Sequence, residues 1–214
     1  MKNLQSLNES GFQLIENFLD LQGFSIPSLK GNVRFCLANA DLKKMADKVS
    51  QFVKVIYPNA VLNRSIFFNK DQSKNWSVLW HQDMTICTKN KVDISGFGPW
   101  SIKDERHHVK PTLKVLGNMV TARLHFDDAT SENGALKVVP GSHLQVHDRE
   151  TIEEMTQSHY LCEANAGDLL LMKPLILHSS SSVKNSNSRR ILHLEYVYSE
   201  MPSDLILHDE EDND

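Results

Sequence analysis

At 214 residues with 40% hydrophobic content, the chain is long enough for one domain with its own core, and nothing in it demands two. The formal net charge is −4 with Lys and Arg scattered rather than clustered, which argues against nucleic acid or an anionic membrane as partner. Cys36, Cys87 and Cys162 form an odd set without metal-type spacing, and no apolar run approaches the ~20 residues that span a bilayer, so reduced thiols and a cytoplasmic protein are expected.

Residues 1 to 35 lack a clean period and are punctuated by Gly11, Gly23, Pro27 and Gly31 into short strands or turns. From Asp41 to Ile56, Leu42, Met45, Ala46, Val49, Phe52, Val53 and Ile56 recur at helical steps, with Asp41 available as N-cap and Pro58 as terminator. This predicts an amphipathic helix packed outside a sheet and taking no part in chemistry. Residues 61 to 70 alternate, with Leu62, Ile66 and Phe68 on one face and Asn63, Ser65 and Asn69 on the other. Parity puts Arg64 and Lys70 on the apolar, inward side, where a cation either snorkels at a rim or faces a pocket that holds an anion.

Residues 78 to 86 are read as a strand. His81 and Asp83 would then stand on one face, Cα atoms roughly 6–7 Å apart. The segment from Thr85 to Pro111 has little periodicity, and its Phe97 and Trp100 suggest an ordered lid. His107 and His108 are adjacent and point opposite ways in extended chain, so at most one could join a site, and neither is assigned to one. Residues 115 to 126 form the next strand, with Val120, Ala122, Leu124 and Phe126 on one face and Met119, Thr121, Arg123 and His125 on the other. Asn133-Gly134 is a tight-turn signal leading into a strand at 135–139 that Pro140-Gly141 ends. An exposed helix at 148–157, strands at 159–164 and 169–172, the apolar run to His178 and a strand from Arg189 to Tyr198 complete the chain. The acidic stretch from His208 to Asp214 is predicted to be a disordered tail after a single domain over 1–207.

Two histidines and one carboxylate on one face of an octahedron leave three positions open, the arrangement of non-haem Fe(II) oxygenases. His81, Asp83 and His178 can supply it. Chance alone gives roughly 0.7 H-x-D patterns in a chain of this composition, and a second copy, His125-Phe126-Asp127, is present. Asp127 falls at a strand end before a turn and reads as a backbone cap. Arg189, 11 residues after His178, favours the first copy: a guanidinium can clamp the far carboxylate of 2-oxoglutarate bidentately, whereas no arginine follows His193 at a useful interval.

The order H-x-D, distal His, then Arg resembles the phytanoyl-CoA dioxygenase-like family of Fe(II)/2-oxoglutarate oxygenases, which includes ectoine hydroxylase. Further stretches are similar to a bacterial subgroup of unassigned substrate: Phe68-Asn69-Lys70, Asn75-Trp76, Trp80 to Asp83, GFGPWS at 96–101, RLHFDD at 123–128, NGALKVVPGSH at 133–143 and RRILHLEY at 189–196. The resemblance implies Fe(II) and 2-oxoglutarate as cofactor and cosubstrate, with molecular oxygen and a small-molecule substrate. It also implies hydroxylation of an unactivated C–H bond with release of succinate and carbon dioxide. It places Arg123 beside the cosubstrate, makes Ser180 a hydrogen-bond donor to it, and treats His143 as structural. Arg189, Ser180, Lys70 and Arg123 are thus the candidate cosubstrate residues, and Arg64, Trp80, His125 and Trp100 the candidate substrate pocket. Halogenating members replace the carboxylate ligand with a small residue, so Asp83 argues against halogenation.

Short strands separated by turn signals, with one good helix near the start, predict a mainly β, antiparallel two-sheet jelly roll. By resemblance this is the cupin-like double-stranded β-helix with a supporting N-terminal helix, its ligands on facing strands near one mouth. Inward Arg64, Lys70 and Arg123 are consistent with a small anionic or zwitterionic metabolite. Two other readings stay open: a cupin-like metal enzyme that uses no 2-oxoglutarate, and a non-catalytic metal- or ligand-binding jelly roll.

Overall fold

The computed structural model describes residues 4–71, 75–183 and 188–209. The polar loop at 184–187 and the acidic end at 210–214 lie outside the described residues. Thirteen strands are described: β1 Phe12–Ile15, β2 Gly31–Arg34, β3 Val61–Lys70, β4 Val78–His81, β5 Ile86–Thr88, β6 Trp100–Lys103, β7 Arg106–Val109, β8 Met119–His125, β9 Leu136–Val138, β10 Tyr160–Cys162, β11 Leu169–Met172, β12 His178–Ser180 and β13 Arg189–Val197. With them go helices α1 Gln5–Glu9, α2 Ala40–Ile56, α3 Leu113–Gly117 and α4 Arg149–Met155.

The strands form a six-stranded sheet in the order β1-β11-β8-β13-β3-β2, a four-stranded sheet β10-β9-β12-β4 and a three-stranded sheet β5-β7-β6. Every described pairing is antiparallel. This is the expected mainly β jelly roll, with one face of the larger sheet turned to the interior and the other covered by α2.

Alternation in β8 and β13 separates the two faces. Val120, Ala122, Leu124, Leu192, Leu194 and Tyr196 pack with Leu42, Met45, Ala46, Val49 and Val53 of α2. Burial of each such side chain contributes roughly 1.5–3 kcal/mol, and the Ser50 and Tyr196 hydroxyls hydrogen-bond at 2.9 Å across the join. The helix therefore packs outside the sheet as its periodicity predicts. Its cap differs: Asn39, not Asp41, accepts from the Asp41 and Leu42 amides at 3.1 and 3.0 Å, because the chain turns helical two residues earlier.

In β3 the alternation is interrupted. Pairing with β13 shifts between Glu195↔Arg64 and Tyr196↔Leu62, so an extra residue, Asn63, enters the strand. Leu62, expected on the face of Ile66 and Phe68, consequently joins Phe67 in the core under α2. Arg64, Ile66 and Phe68 face the interior.

Three other stretches depart from the sequence reading. The strand expected over 78–86 ends at His81, and Asp83 lies in the turn beyond it, its amide held by the Pro174 carbonyl at 2.9 Å. The expected loop at 85–111 contains β5, β6 and β7, and residues 113–117 turn helical under a Thr112 cap before β8 begins. His208, expected in a disordered tail, is tied down: its amide donates to Cys87 O at 3.1 Å and its carbonyl accepts from Asn63 Nδ2 at 2.8 Å. Cys36, Cys87 and Cys162 are buried and form no disulfide among the described residues. No described helix is long and apolar enough to cross a membrane.

Candidate metal and anion site

The interior of the roll holds a cavity of about 320 Å³ between the two main sheets. His81 and His178 enter it from β4 and β12, which are hydrogen-bonded neighbours with the two histidines directly opposite in register. The candidate ligands thus sit on adjacent strands rather than on facing ones as the sequence suggested. Each imidazole donates Nδ1–H to a backbone carbonyl two residues earlier, His81 to Leu79 O and His178 to Ile176 O, both at 2.8 Å. A carbonyl only accepts, so in both rings the Nε2 lone pair is left free.

Those lone pairs meet on Asp83. His81 Nε2 lies 3.5 Å from Asp83 Oδ1, and His178 Nε2 lies 3.5 Å from Oδ2. The three donor atoms fall within 4.8 Å of one another. Ligands about 2.1 Å from a metal ion at right angles are separated by about 3 Å, so the donor set fits a divalent ion with little movement. Burial opposes ionisation of Asp83, but His178 and His81 hold its carboxyl well below the usual range. Burial, against the pull of Asp83, lowers His178 to about 4. A neutral imidazole and an ionised carboxylate are the forms that bind metal.

A second cluster, Asp83, His193 and Glu195, also brings three donor types together. Its chemistry is different. Arg123 Nη1 lies 2.9 Å from His193 Nδ1, and a guanidinium only donates, so that nitrogen must accept. Nε2 then carries the proton and donates to Glu195 Oε1 at 2.9 Å, while Glu195 Oε2 accepts from Arg64 Nη2 at 2.6 Å. With Arg64 and Arg123 already in place, His193 has no lone pair to offer a metal.

Opposite the first cluster is a group of buried cations. Arg189 is 3% exposed and donates from Nη1 to the Gly134 carbonyl, and its Nε has no partner. Among the described residues no carboxylate pairs with it. Burial, and then Arg123, lowers its guanidinium to about 9. Lys70, opposite Arg189 in the β3–β13 register, donates to Ser180 Oγ at 3.2 Å and to Ser181 O at 2.9 Å. Burial, followed by Arg189 and Arg123, lowers the Lys70 amine to about 7. Ser180, Arg189 and Arg123 line the cavity, and the Trp76 ring lies over the Lys70 ammonium at 5.0 Å. Buried cations without acids are costly unless an anion joins them.

Three of the four expected pocket residues lie elsewhere. Trp80 packs edge-on to His159 with ring centroids 5.5 Å apart and does not line the cavity. Trp100 and Phe97 are not a lid over the metal cluster: they pack in a satellite core with Ile86, Val109 and Val115, because the segment folds into its own small sheet. His125 is buried with Nδ1 against Asp168 O at 3.3 Å, and burial with Arg123 and Arg189 lowers it to about 3. Arg64 does line the cavity but is paired with Glu195. Asp127 of the second H-x-D accepts the Arg190 amide at 2.8 Å and both arms of its guanidinium. His107 and His108 do not line the cavity.

The lining also includes residues that the sequence reading did not assign: Trp76, Thr85, Lys103, Ser179, His193 and Glu195. Parity along β13 from Arg189 would have reached His193 and Glu195. Nothing local marks Lys103, which arrives on β6.

The sequence model of a family described as Phytanoyl-CoA dioxygenase (PhyH) matches residues 29–191. Among curated proteins, none matches the sequence significantly. Solved structures share the fold at low identity. AviO1 from Streptomyces viridochromogenes Tue57 superposes with a TM-score of 0.64 at 16% identity, covering 93% of this chain and 95% of that one. EctD from S. alaskensis in its apoform gives 0.63 at 14%, covering 96% and 82%. SnoK, described as a non-haem alpha-ketoglutarate-dependent carbocyclase from nogalamycin biosynthesis, gives 0.62 at 15%, covering 91% and 82%.

Proposed function

We propose that this chain, which belongs to the phytanoyl-CoA dioxygenase family, is a 2-oxoglutarate-dependent non-haem iron oxygenase acting on a small metabolite. One observation carries the reading: two imidazoles and a carboxylate converge in a cavity whose opposite wall presents Arg189, a buried guanidinium with no acid partner among the described residues. Related support comes from EctD, whose structures include one with 2-oxoglutarate and 5-hydroxyectoine and one with bound Fe.

His81, Asp83 and His178 would hold the iron, and Arg189 would take the distal carboxylate of 2-oxoglutarate. When bound, the iron and cosubstrate supply oxygen activation, coupled to decarboxylation to succinate and carbon dioxide. The protein's own part is orientation and exclusion of water. The Leu79 and Ile176 carbonyls fix both imidazole rings, and Gly134 O fixes Arg189. Lys70 and Ser180 complete the anion end of the site. Hydroxylation is the default outcome; the structures that share the fold include one described as a carbocyclase.

The test is anaerobic titration of Fe(II)-loaded protein with 2-oxoglutarate, watching the weak visible charge-transfer band of the chelate. The band should form in wild type, weaken in Arg189→Ala and vanish in Asp83→Ala. Iron binding without a band in wild type would remove the cosubstrate from the reading.

A further inference from the structure

We infer that Arg123 binds a carboxylate of the primary substrate, so that the cavity takes a small organic acid. The inference rests on the oxygenase reading above and adds the chemical class of the molecule oxidised.

The first observation is that Arg123 is a buried cation for which no described acid is left. It is 5% exposed at the centre of the six-stranded sheet, with the Phe68 ring 5.7 Å from its guanidinium carbon. Its one described hydrogen-bond partner is His193, a neutral acceptor, and its Nε has none. Glu195, the acid behind His193, is taken by Arg64 at 2.6 Å. Asp83 faces the two metal-binding histidines. The chain Arg64–Glu195–His193–Arg123 thus orients the Arg123 guanidinium without neutralising it.

Charge in the loaded cavity leads to the same residue. A divalent ion, Asp83, doubly charged 2-oxoglutarate and Arg189 cancel, as do Arg64 and Glu195. Lys70, opposite Arg189 in register and bonded to Ser180, belongs with Arg189 to the cosubstrate end of the site. Arg123 remains as one uncompensated positive charge out of water, which an anionic ligand would stabilise strongly.

Backbone position sets Arg123 apart from the cosubstrate clamp, although both guanidiniums line the one cavity. Arg123 pairs with His193, four residues along β13 from Arg189, a backbone offset of roughly 13 Å. Arg189 has Lys70 opposite it in register, beside Ser180, whereas Arg123 has neither near its place in the strand pairing. Size limits the ligand: 320 Å³ is at the low end for ligand pockets and must also accept 2-oxoglutarate. Exposed Lys103 at the mouth adds attraction for an incoming anion.

The experiment uses the full chain loaded anaerobically with Fe(II) and saturating 2-oxoglutarate. It is titrated with short-chain and aromatic carboxylic acids and with their primary amides, which match them in shape but are neutral. Perturbation of the charge-transfer band reads binding. At least one acid should bind at least tenfold more tightly than its amide. Arg123→Gln should abolish that preference while changing 2-oxoglutarate affinity less than about threefold, and Arg123→Lys should retain part of it. If no acid outperforms its amide across the panel, the inference fails. It also fails if Arg123→Gln, folded by circular dichroism, loses 2-oxoglutarate more than tenfold, since Arg123 would then serve the cosubstrate. Should Arg123→Gln not fold, the wild-type comparison and Arg123→Lys still decide. Failure of the band to form in wild type would instead sink the oxygenase reading itself.

Discussion

Arg189 and Gly134 are joined by a hydrogen bond from the guanidinium Nη1 to the glycine carbonyl, which sets the direction in which the buried cation faces the cavity. Gly134 has φ +78°, and a Cβ there would lie 2.3 Å from the Ser181 carbonyl oxygen. Both the left-handed backbone and the close approach require glycine. Gly134→Ala is therefore expected to cost roughly 1–3 kcal/mol of stability and to weaken 2-oxoglutarate binding by displacing the Arg189 anchor. Urea unfolding and the anaerobic titration check the two effects separately.

Arg189→Lys keeps the charge but loses the planar fork. A single ammonium cannot reach both the Gly134 carbonyl and two carboxylate oxygens, so 2-oxoglutarate affinity should fall at least tenfold, about 1.4 kcal/mol. An unchanged dissociation constant would show that Arg189 does not grip the carboxylate.

The Lys70 amine predicts a pH dependence. Burial, then Arg189 and Arg123, lowers it to about 7 from 10.5. Between those values the unfolded chain binds a proton that the native one does not, so this group's destabilising effect is full below pH 7 and is relieved as pH rises towards 10.5. A bound carboxylate favours the ammonium, so binding above pH 7 takes up a proton. The 2-oxoglutarate dissociation constant should rise with pH above 7, by up to tenfold per unit. Lys70→Met should flatten that slope relative to wild type, read by calorimetry in two buffers of different ionisation enthalpy.

The two H-x-D motifs should separate cleanly. Asp83→Ala is expected to abolish stoichiometric Fe(II) binding. Asp127→Ala should retain it while losing on the order of 1–3 kcal/mol of stability, because Asp127 holds the Arg190 amide and guanidinium. Iron loading and thermal unfolding of both variants test this.

Leu62 tests the irregularity in β3. If it packs under α2 with Phe67, Leu62→Ala should cost about 2–5 kcal/mol and leave 2-oxoglutarate affinity unaltered. A changed affinity would put Leu62 on the cavity side instead.

Much of this site was legible in sequence because its signals are local. Helical spacing from Leu42 to Val53 marks a buried stripe, and alternation in β8 and β13 separates core residues from those facing the cavity, since successive strand side chains point to opposite faces. The succession His81-x-Asp83, His178 and Arg189 could be written down from chemistry and order alone.

Pairing partners could not. That β4 lies beside β12, and that Arg189 comes to rest opposite Lys70, are decided by contacts between segments roughly 100 residues apart. One inserted residue at Asn63 moved Leu62 to the other face, a change invisible to a period count. Trp80, Trp100 and His125 share the residue types of a pocket, but Trp80 packs on His159 beside His81 in β4, Trp100 joined the separate small sheet, and His125 is buried against Asp168 at the end of β8. Sequence by itself determined which groups were available for metal and anion binding. Tertiary structure alone decided which of them meet in one cavity, and that Glu195 and His193 leave Arg123 oriented but uncompensated.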